Sequence, residues 1–412
     1  MTRRGSGLGI DFGTSNTVAG HAPDGPPQLI GLEAGATTMP TTFFFDAATR
    51  GTLLGGPANR ALLEGREGRF MRALKRVLGT PLMHEQRMIL TERVSLSDLI
   101  ARFLHQVRAR AEAQTGLTFD RVLSGRPVVF HGTDDPREQQ AEDDLRACYL
   151  AAGFREVAFM PEPEAAAIAA GATHRAGTTG LIVDVGGGTS DFSVFRAGAG
   201  GVTILASHGV RFGGTDFDRA ISLDHVMPLL GRGTRLRKAM GPGHSPVPNA
   251  IFADLATWER IPFVNTPQNR RMVAEMARLA EQPQALADLA AVLEEDLGHD
   301  LAFAVEAGKI AANDGDAAIR LDAIRAGLSA PLARQAMADS LSRHAAQLRE
   351  GATETLRRAG LSDTDIDQVI YVGGSSLMSI VQQTLRAQFP DADHRAHEVF
   401  TAVADGLSIA AA

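Results

Sequence analysis

The sequence predicts an α/β protein of two lobes, each a mixed β-sheet flanked by helices, with a binding cleft between them. Three observations predict it. An apolar run, Leu181-Ile182-Val183-Asp184-Val185, passes through Gly186-Gly187-Gly188 into Thr189-Ser190-Asp191, after which Phe192 to Phe195 reads as a return strand. The same plan stands near the N-terminus, where Leu8-Gly9-Ile10-Asp11-Phe12 runs through Gly13, Thr14 and Ser15 into Asn16-Thr17-Val18. Around these hairpins, apolar runs of strand length alternate with segments whose apolar residues recur at helical spacing. Two alike hairpins far apart in one chain imply two related halves.

The turns carry chemistry as well as topology. Glycines let the backbone close tightly and present bare N–H groups to an anion, while Thr14, Ser15, Thr189 and Ser190 add hydroxyl donors. One such turn is equally at home in an ordinary hairpin; the pair favours a phosphate cradle. If the halves face each other, a nucleotide's phosphates lie between the turns, with Asp11 and Asp184 holding a magnesium ion through its waters. Mg²⁺ takes oxygen ligands and dehydrates reluctantly. A dinucleotide fingerprint is excluded because a strand, not a helix, follows the glycines. A Walker loop is excluded because no Gly-Lys-Ser/Thr follows.

Bulk properties set the class. With 412 residues the chain can bury a sizeable core in more than one lobe. A net charge of -7 gives no general attraction to nucleic acid or acidic membrane surfaces. Cys148 is the single cysteine and has no intrachain partner, which fits a reducing compartment. Arg3-Arg4 has no long apolar run behind it, so neither signal peptide nor membrane anchor is expected, and cytoplasm is the expected location.

In chain order, Gln28–Leu32 and Thr41–Phe45 read as strand pieces. Arg69 to Gly79 is apolar with a basic centre; Lys75 is either a solvated lysine of an amphipathic piece or a point charge for a terminal phosphate. Ser97–Ala113 reads as a helix ending before Gly116. Val122-Leu123 and Val128–Phe130 read as a strand broken at Gly125-Arg126-Pro127. Asp135-Pro136 is expected to start a helix that ends before Gly153 and buries Cys148. Val157–Met160 is a strand, followed by Pro161-Glu162-Pro163-Glu164 and an alanine-rich helix to Gly171. Glu162 is either a helix-start charge or a group that orients water. A second lobe begins near Thr178. Val202–Ala206 is a strand, and Phe212-Gly213-Gly214-Thr215-Asp216-Phe217-Asp218 is a glycine turn feeding a helix, its acids read as helix-start charges. Leu230–Pro248, with Arg232, Arg235, Arg237 and Lys238, reads as a solvated loop. Ala250–Leu301 reads as helical, and Phe303–Ala312 places Glu306 and Lys309 on one helix face, as a surface ion pair or as ribose ligands. Leu328–Arg358 reads as one long helix with a break at Gly351. Asp367–Val372 is a buried-type strand capped by Gly373-Gly374-Ser375-Ser376, where a flat ligand can lie on bare backbone. His394 and His397 have metal-like spacing without partners, so no metal is expected there.

In this order and spacing, the segments resemble the ATPase domain of the DnaK heat-shock chaperone family, within the actin and sugar-kinase superfamily. Gly9–Asn16 resembles its first phosphate loop, Asp184–Asp191 its second, Ala73–Gly79 its lysine segment and Glu162–Ala167 its connecting motif. Gly213–Asp218 and Val372–Ser375 resemble two further nucleotide motifs. The resemblance implies an actin-like ATPase fold with the nucleotide cleft between lobe I (1–175, with 39–117 as outer subdomain, completed by about 394–412) and lobe II (176–393, with 215–326 as outer subdomain). It implies ATP or ADP with Mg²⁺, and K⁺ as a candidate companion. Lys75, Glu162, Asp184 and Thr189 are then catalytic. Asp11, Gly13, Thr14, Ser15, Gly186, Gly187, Gly188, Gly213, Gly214, Glu306, Lys309, Gly373, Gly374 and Ser375 bind nucleotide, and Asp11, Asp184 and Asp191 surround the metal.

Three positions depart from the family pattern: Ile310 and Leu377 stand where arginines flank adenine, and Asn313 stands for a serine. The sequence ends at Ala412, after a helix over Val399–Ala411, without an acidic-hydrophobic linker or a β-rich peptide-binding domain. On that reading it is like the truncated, YegD-type members. The expected function is a slow Mg²⁺-dependent ATPase working as a chaperone-like switch, a monomer with an unidentified protein partner or client. The alternatives are a nucleotide-sensing adaptor with little hydrolysis, and an actin-like filament former or small-molecule kinase on the same scaffold.

Overall fold

The computed structural model describes every residue except 1, 2, 5, 6, 24, 90, 91, 133, 171–176, 199, 200, 239, 240 and 397–399. Strand β1 (Leu8–Phe12) turns at Gly13 into antiparallel β2 (Asn16–His21), with Asp11 opposite Val18. Short strands β3 (Gln28–Leu29) and β4 (Thr38–Pro40) both pair antiparallel with β2. A separate small sheet places β5 (Thr42–Asp46) between β6 (Thr52–Leu54) and β7 (Gly68–Arg72). Helix α1 (Leu96–Thr115) carries Leu99, Ile100, Phe103, Leu104 and Val107 as one buried stripe in the first core. It starts in a capping box in which Ser95 and Asp98 satisfy each other's backbone N–H groups, and it ends at left-handed Gly116. Next come β8 (Arg121–Arg126), α2 (Arg137–Ala151), β9 (Glu156–Pro161) and α3 (Glu162–Ala170). The sheet runs β9-β8-β1-β2-β3, with β8 parallel to both β1 and β9.

The second large sheet repeats that plan. Strand β10 (Thr179–Val185) turns into antiparallel β11 (Ser190–Gly198), and β12 (Gly201–Val210) pairs antiparallel with β11. Helices α4 (Gly214–Ile221), α5 (Gly298–Asp314) and α6 (Ser342–Ala359) precede β13 (Gln368–Val372), which lies parallel to β10. After α7 (Ser379–Gln388), β14 (Asp393–Ala396) adds parallel to β13, and α8 (Ala402–Ala410) follows. The order is β12-β11-β10-β13-β14. Each sheet is thus a hairpin extended by two parallel strands, as expected of two related halves. Beside the hairpin, Ile182, Phe195, Ile370 and Val372 form a second core with Ala165–Ala167 of α3 and Val403 and Leu407 of α8. Gly406 is required there, because any Cβ would strike the Ala165 carbonyl.

Contacts divide the chain into two compact units. One is Met1–Gly214 with Ala346–Leu377 and Val381–Ala412; the other is Thr215–Ala345 with Met378–Ile380. The second unit is mostly helical, with Ala250–Leu255, Pro267–Leu279, Pro283–Glu294 and α5; the buried Trp258 ring meets Phe303 of α5 edge-on at 5.1 Å between centroids.

Several sequence expectations are corrected. Arg121–Arg126 is one unbroken strand, and Val128–Phe130 is no strand, because its N–H groups go to carboxylates: Val128 donates to Asp191 and Phe130 to Glu138. Within the expected loop 230–248, Arg235–Arg237 pairs with His244–Pro246. The expected helix from Leu328 begins instead with strand Ser329–Leu332, paired with Ala317–Arg320, and the helices are Arg334–Ser340 and α6. Gly351 does not break α6; its missing Cβ makes room for the Phe192 ring. Residues 69–79 are β7 followed by a single 3₁₀ turn, Leu74–Val77, rather than an amphipathic piece. Gly171 and Val399, which bounded two expected helices, and His397, the second of the paired histidines, lie outside the described residues. Among those described, no helix is long and apolar enough to cross a membrane.

Candidate functional site

The two hairpin turns close in the same way: Gly13 N–H donates to Asn16 O, and Gly186 N–H to Thr189 O, both at 3.0 Å. They also meet. A Cβ on Gly187 would come within 2.5 Å of Ser15 Oγ and 3.1 Å of Thr14 Cβ, and one on Gly188 within 3.0 Å of Thr14 Oγ1. The third turn sits on the second. Gly214 N–H donates to Gly186 O at 2.9 Å, and a Cβ on Gly213 would lie 2.6 Å from Gly186 O and Gly188 N. The fourth turn completes the set, with Ser375 Oγ against Gly214 and Gly373, at φ +77°, against Asp184 Oδ1. At Gly213 and Gly373 the neighbour is backbone, so no side chain fits there. Gly13, Thr14, Ser15, Gly186–Gly188, Gly213, Gly214 and Gly373–Ser375 therefore form one continuous surface.

Carboxylates gather beside it. Asp184 and Asp191 are cross-strand partners on β10 and β11, 5% and 1% exposed, and Asp11 is the last residue but one of β1, as Asp184 is of β10. Lys75 and Glu162, each 8% exposed, form an ion pair at 2.7 Å. Burial, then the charge of Glu162, pushes Asp11 up to about 7 and Asp191 up to about 8; Asp184 is raised by the same causes and by Asp191 and Asp11. Lys75 also shifts upward, towards its charged form: burial lowers its pKa, but Glu162 and Asp11 outweigh it. Four carboxylates thus act on one another around Lys75, an excess of buried negative charge that disfavours full ionisation. Asp191 makes the point at atomic scale: Oδ1 accepts Val128 N–H at 2.8 Å, while Oδ2 is buried with no hydrogen-bond partner among the described residues.

This donor set, hard oxygen and excess negative charge with an orphaned carboxylate oxygen, fits a hard divalent cation. Among the described residues no group of three or more His, Cys, Asp or Glu is arranged to ligate a metal. Lys75 owes its place to Ala73, whose left-handed φ of +63° turns the chain from β7 into the 3₁₀ turn that carries the lysine. Glu162 is the first residue of α3.

In the smaller unit, Lys309 Nζ forms a buried ion pair with Asp218 Oδ1 at 2.6 Å, and Trp258 Nε1 donates to Asp218 Oδ2 at 3.0 Å. Asp218 is therefore no helix-start charge, as the sequence suggested, but a buried carboxylate whose pKa burial raises. Glu306 stands one turn before Lys309 on α5, as expected. Ile310 is 60% exposed and Leu377 39%. Asn313 Oδ1 accepts the Ser379 N–H. His394 is held by Tyr371 Oη and the Phe389 carbonyl, which gives it a structural role.

Sequence reading missed the Val128 N–H on Asp191 and the Trp258–Asp218–Lys309 cluster. Pro127 hinted at the first, since a proline stiffens and interrupts a strand; the lone tryptophan of the chain hinted at the second.

A family model described as "Hsp70 protein" matches residues 7–236. The chain is 26% identical over 409 residues to the protein named "Chaperone protein DnaK" of Thermosipho africanus, covering 98% of this chain and 58% of that one. The same name, identity and coverage of this chain hold for the Thermotoga petrophila protein, of which 59% is covered. The chain thus spans under two thirds of the length of these relatives. The family model takes in β1 to β12 with both glycine hairpins, Lys75 and Glu162, and on that match the chain belongs to the Hsp70 family, with its actin-like ATPase fold.

Proposed function

We propose that this chain binds ATP with magnesium and hydrolyses it slowly, as a chaperone-like nucleotide switch read by a partner protein. One observation carries the reading: Asp11 and Asp184 stand at the ends of two equivalent hairpins whose glycine turns touch, beside a buried Lys75–Glu162 pair. Phosphoryl transfer to water asks for positioning and charge neutralisation more than covalent chemistry. The turn N–H groups and the Thr14, Ser15 and Thr189 hydroxyls hold the phosphates. Lys75 places a point charge on the terminal phosphate, and Glu162 orients the attacking water. When bound through its waters by Asp11, Asp184 and Asp191, magnesium supplies neutralisation at the phosphate oxygens. Gly373, Gly374 and Ser375 are assigned the base side.

Phosphate release from purified protein tests this, comparing wild type with Lys75→Ala and Asp184→Ala. Expected is Mg²⁺-dependent turnover that falls close to background in Lys75→Ala, with thermal melts confirming that the variants fold. Equal rates in wild type and variant sink the reading. A second reading, a nucleotide sensor without useful hydrolysis, is favoured by one feature: Lys75 and Glu162 neutralise each other across 2.7 Å. It expects calorimetric nucleotide binding with no phosphate released over hours.

A further inference from the structure

We propose that Phe400 is the platform on which the planar base of the bound nucleotide stacks, an assignment that rests on the nucleotide reading above. The Cε1 edge of its ring abuts the bare backbone of Gly374: a Cβ there would come within 2.8 Å of Cε1 and 3.5 Å of Cζ. The ring is nonetheless 51% exposed, and it is the one aromatic among the exposed large hydrophobic residues of the described chain. Large aromatic rings are normally hidden, since they bring much apolar surface. A phenylalanine held at its edge by a glycine, with half its surface exposed, is placed to receive another flat surface.

Its location says which surface. Gly374 follows Gly373, which abuts Asp184 Oδ1, and the same turn carries Ser375 against Gly214. One glycine therefore touches the acid cluster and the next touches Phe400. Leu377, at the end of that turn, adds a second exposed apolar side chain. A ligand with phosphates at the glycine turns and a planar heteroaromatic end has its anionic part answered by the turns and its flat part by Phe400. Stacking on an apolar ring accepts any base, because every base has a π-face.

The test measures dissociation constants by calorimetry, with magnesium, for ADP and for inorganic tripolyphosphate. Wild type is compared with Phe400→Ala and Phe400→Tyr. Expected is a loss of ADP affinity of about ten-fold or more in Phe400→Ala, within the range of one base–aromatic stack. Tripolyphosphate binding should be unchanged, and Phe400→Tyr should restore ADP binding. The proposal is overturned if Phe400→Ala binds ADP as wild type does, or loses ADP and tripolyphosphate in equal proportion, which would make the ring a prop for the turn. Wild type binding both ligands equally tightly removes the platform but leaves the phosphate site standing. Wild type binding neither removes the nucleotide reading as well.

Discussion

Lys75 is carried into the acid cluster by a strained neighbour. Ala73 adopts φ +63°, a left-handed conformation in which Cβ crowds the carbonyl and costs an L-residue about 1–2 kcal/mol. Strain of this kind persists where the surrounding structure over-determines the backbone. We expect Ala73→Gly to raise stability by about 1 kcal/mol in urea denaturation, by the same steric argument, while slowing phosphate release because the turn that aims Lys75 is loosened. Unchanged stability would mean that the left-handed turn stores nothing. At this scale much of the site was legible. Asp11, Asp184 and the glycines stood out because glycine and carboxylate at a strand end leave a local signature. Asp218 did not, because its meaning depends on Trp258 and Lys309, partners 40 and 91 positions along the chain that no local pattern joins to it.

At the scale of elements, local chemistry and long-range pairing divide the outcome. Helix α1 is written in its own sequence: a buried stripe, a capping box at Ser95 and Asp98, and Gly116 in the left-handed region. Its start is the easiest place to test that logic. Ser95→Ala removes the acceptor for the Asp98 N–H and is expected to cost about 1 kcal/mol, read as a fall in melting temperature with phosphate release unchanged. The elements that escaped prediction are strands whose identity lies in a partner. Arg235–Arg237 is basic and short, and it becomes a strand by pairing across a turn with His244–Pro246. Ser329–Leu332 contains Pro331 and runs into helical composition, yet it pairs with Ala317–Arg320. In the opposite sense, Val128–Phe130 has strand composition but spends its N–H groups on Asp191 and Glu138.

At the scale of the whole molecule, the duplicated sheets are alike in topology but not in charge. Asp191 sits opposite Asp184 in the second hairpin, whereas the equivalent partner of Asp11 in the first is Val18. Negative charge therefore accumulates on one side of the repeat, and it links stability to pH. Asp11 at about 7, Asp191 at about 8 and the raised Asp184 all lie above their ordinary 3.8. A carboxyl whose folded pKa is raised favours folding while protonated; that contribution is complete below about pH 3.8 and is lost as pH rises through 7 to 8. Metal-free protein in chelator is expected to melt lower at pH 8.5 than at pH 6. Asp191→Asn should flatten the difference, and added magnesium should recover the alkaline loss. A wild-type melting temperature that is level across this window would show that the three carboxyls do not carry the linkage.

The contact between Gly406 and the Ala165 carbonyl has a mechanical consequence. Helix α8 rests on the first turns of α3, the helix that begins with Glu162, and at Gly406 the contact is backbone to backbone. The same helix is pressed to β1, where Gly9 meets the Ser408 backbone two residues before Asp11. A displacement of α8 is therefore expected to press at once on the strand that carries Asp11 and on the helix that begins with Glu162.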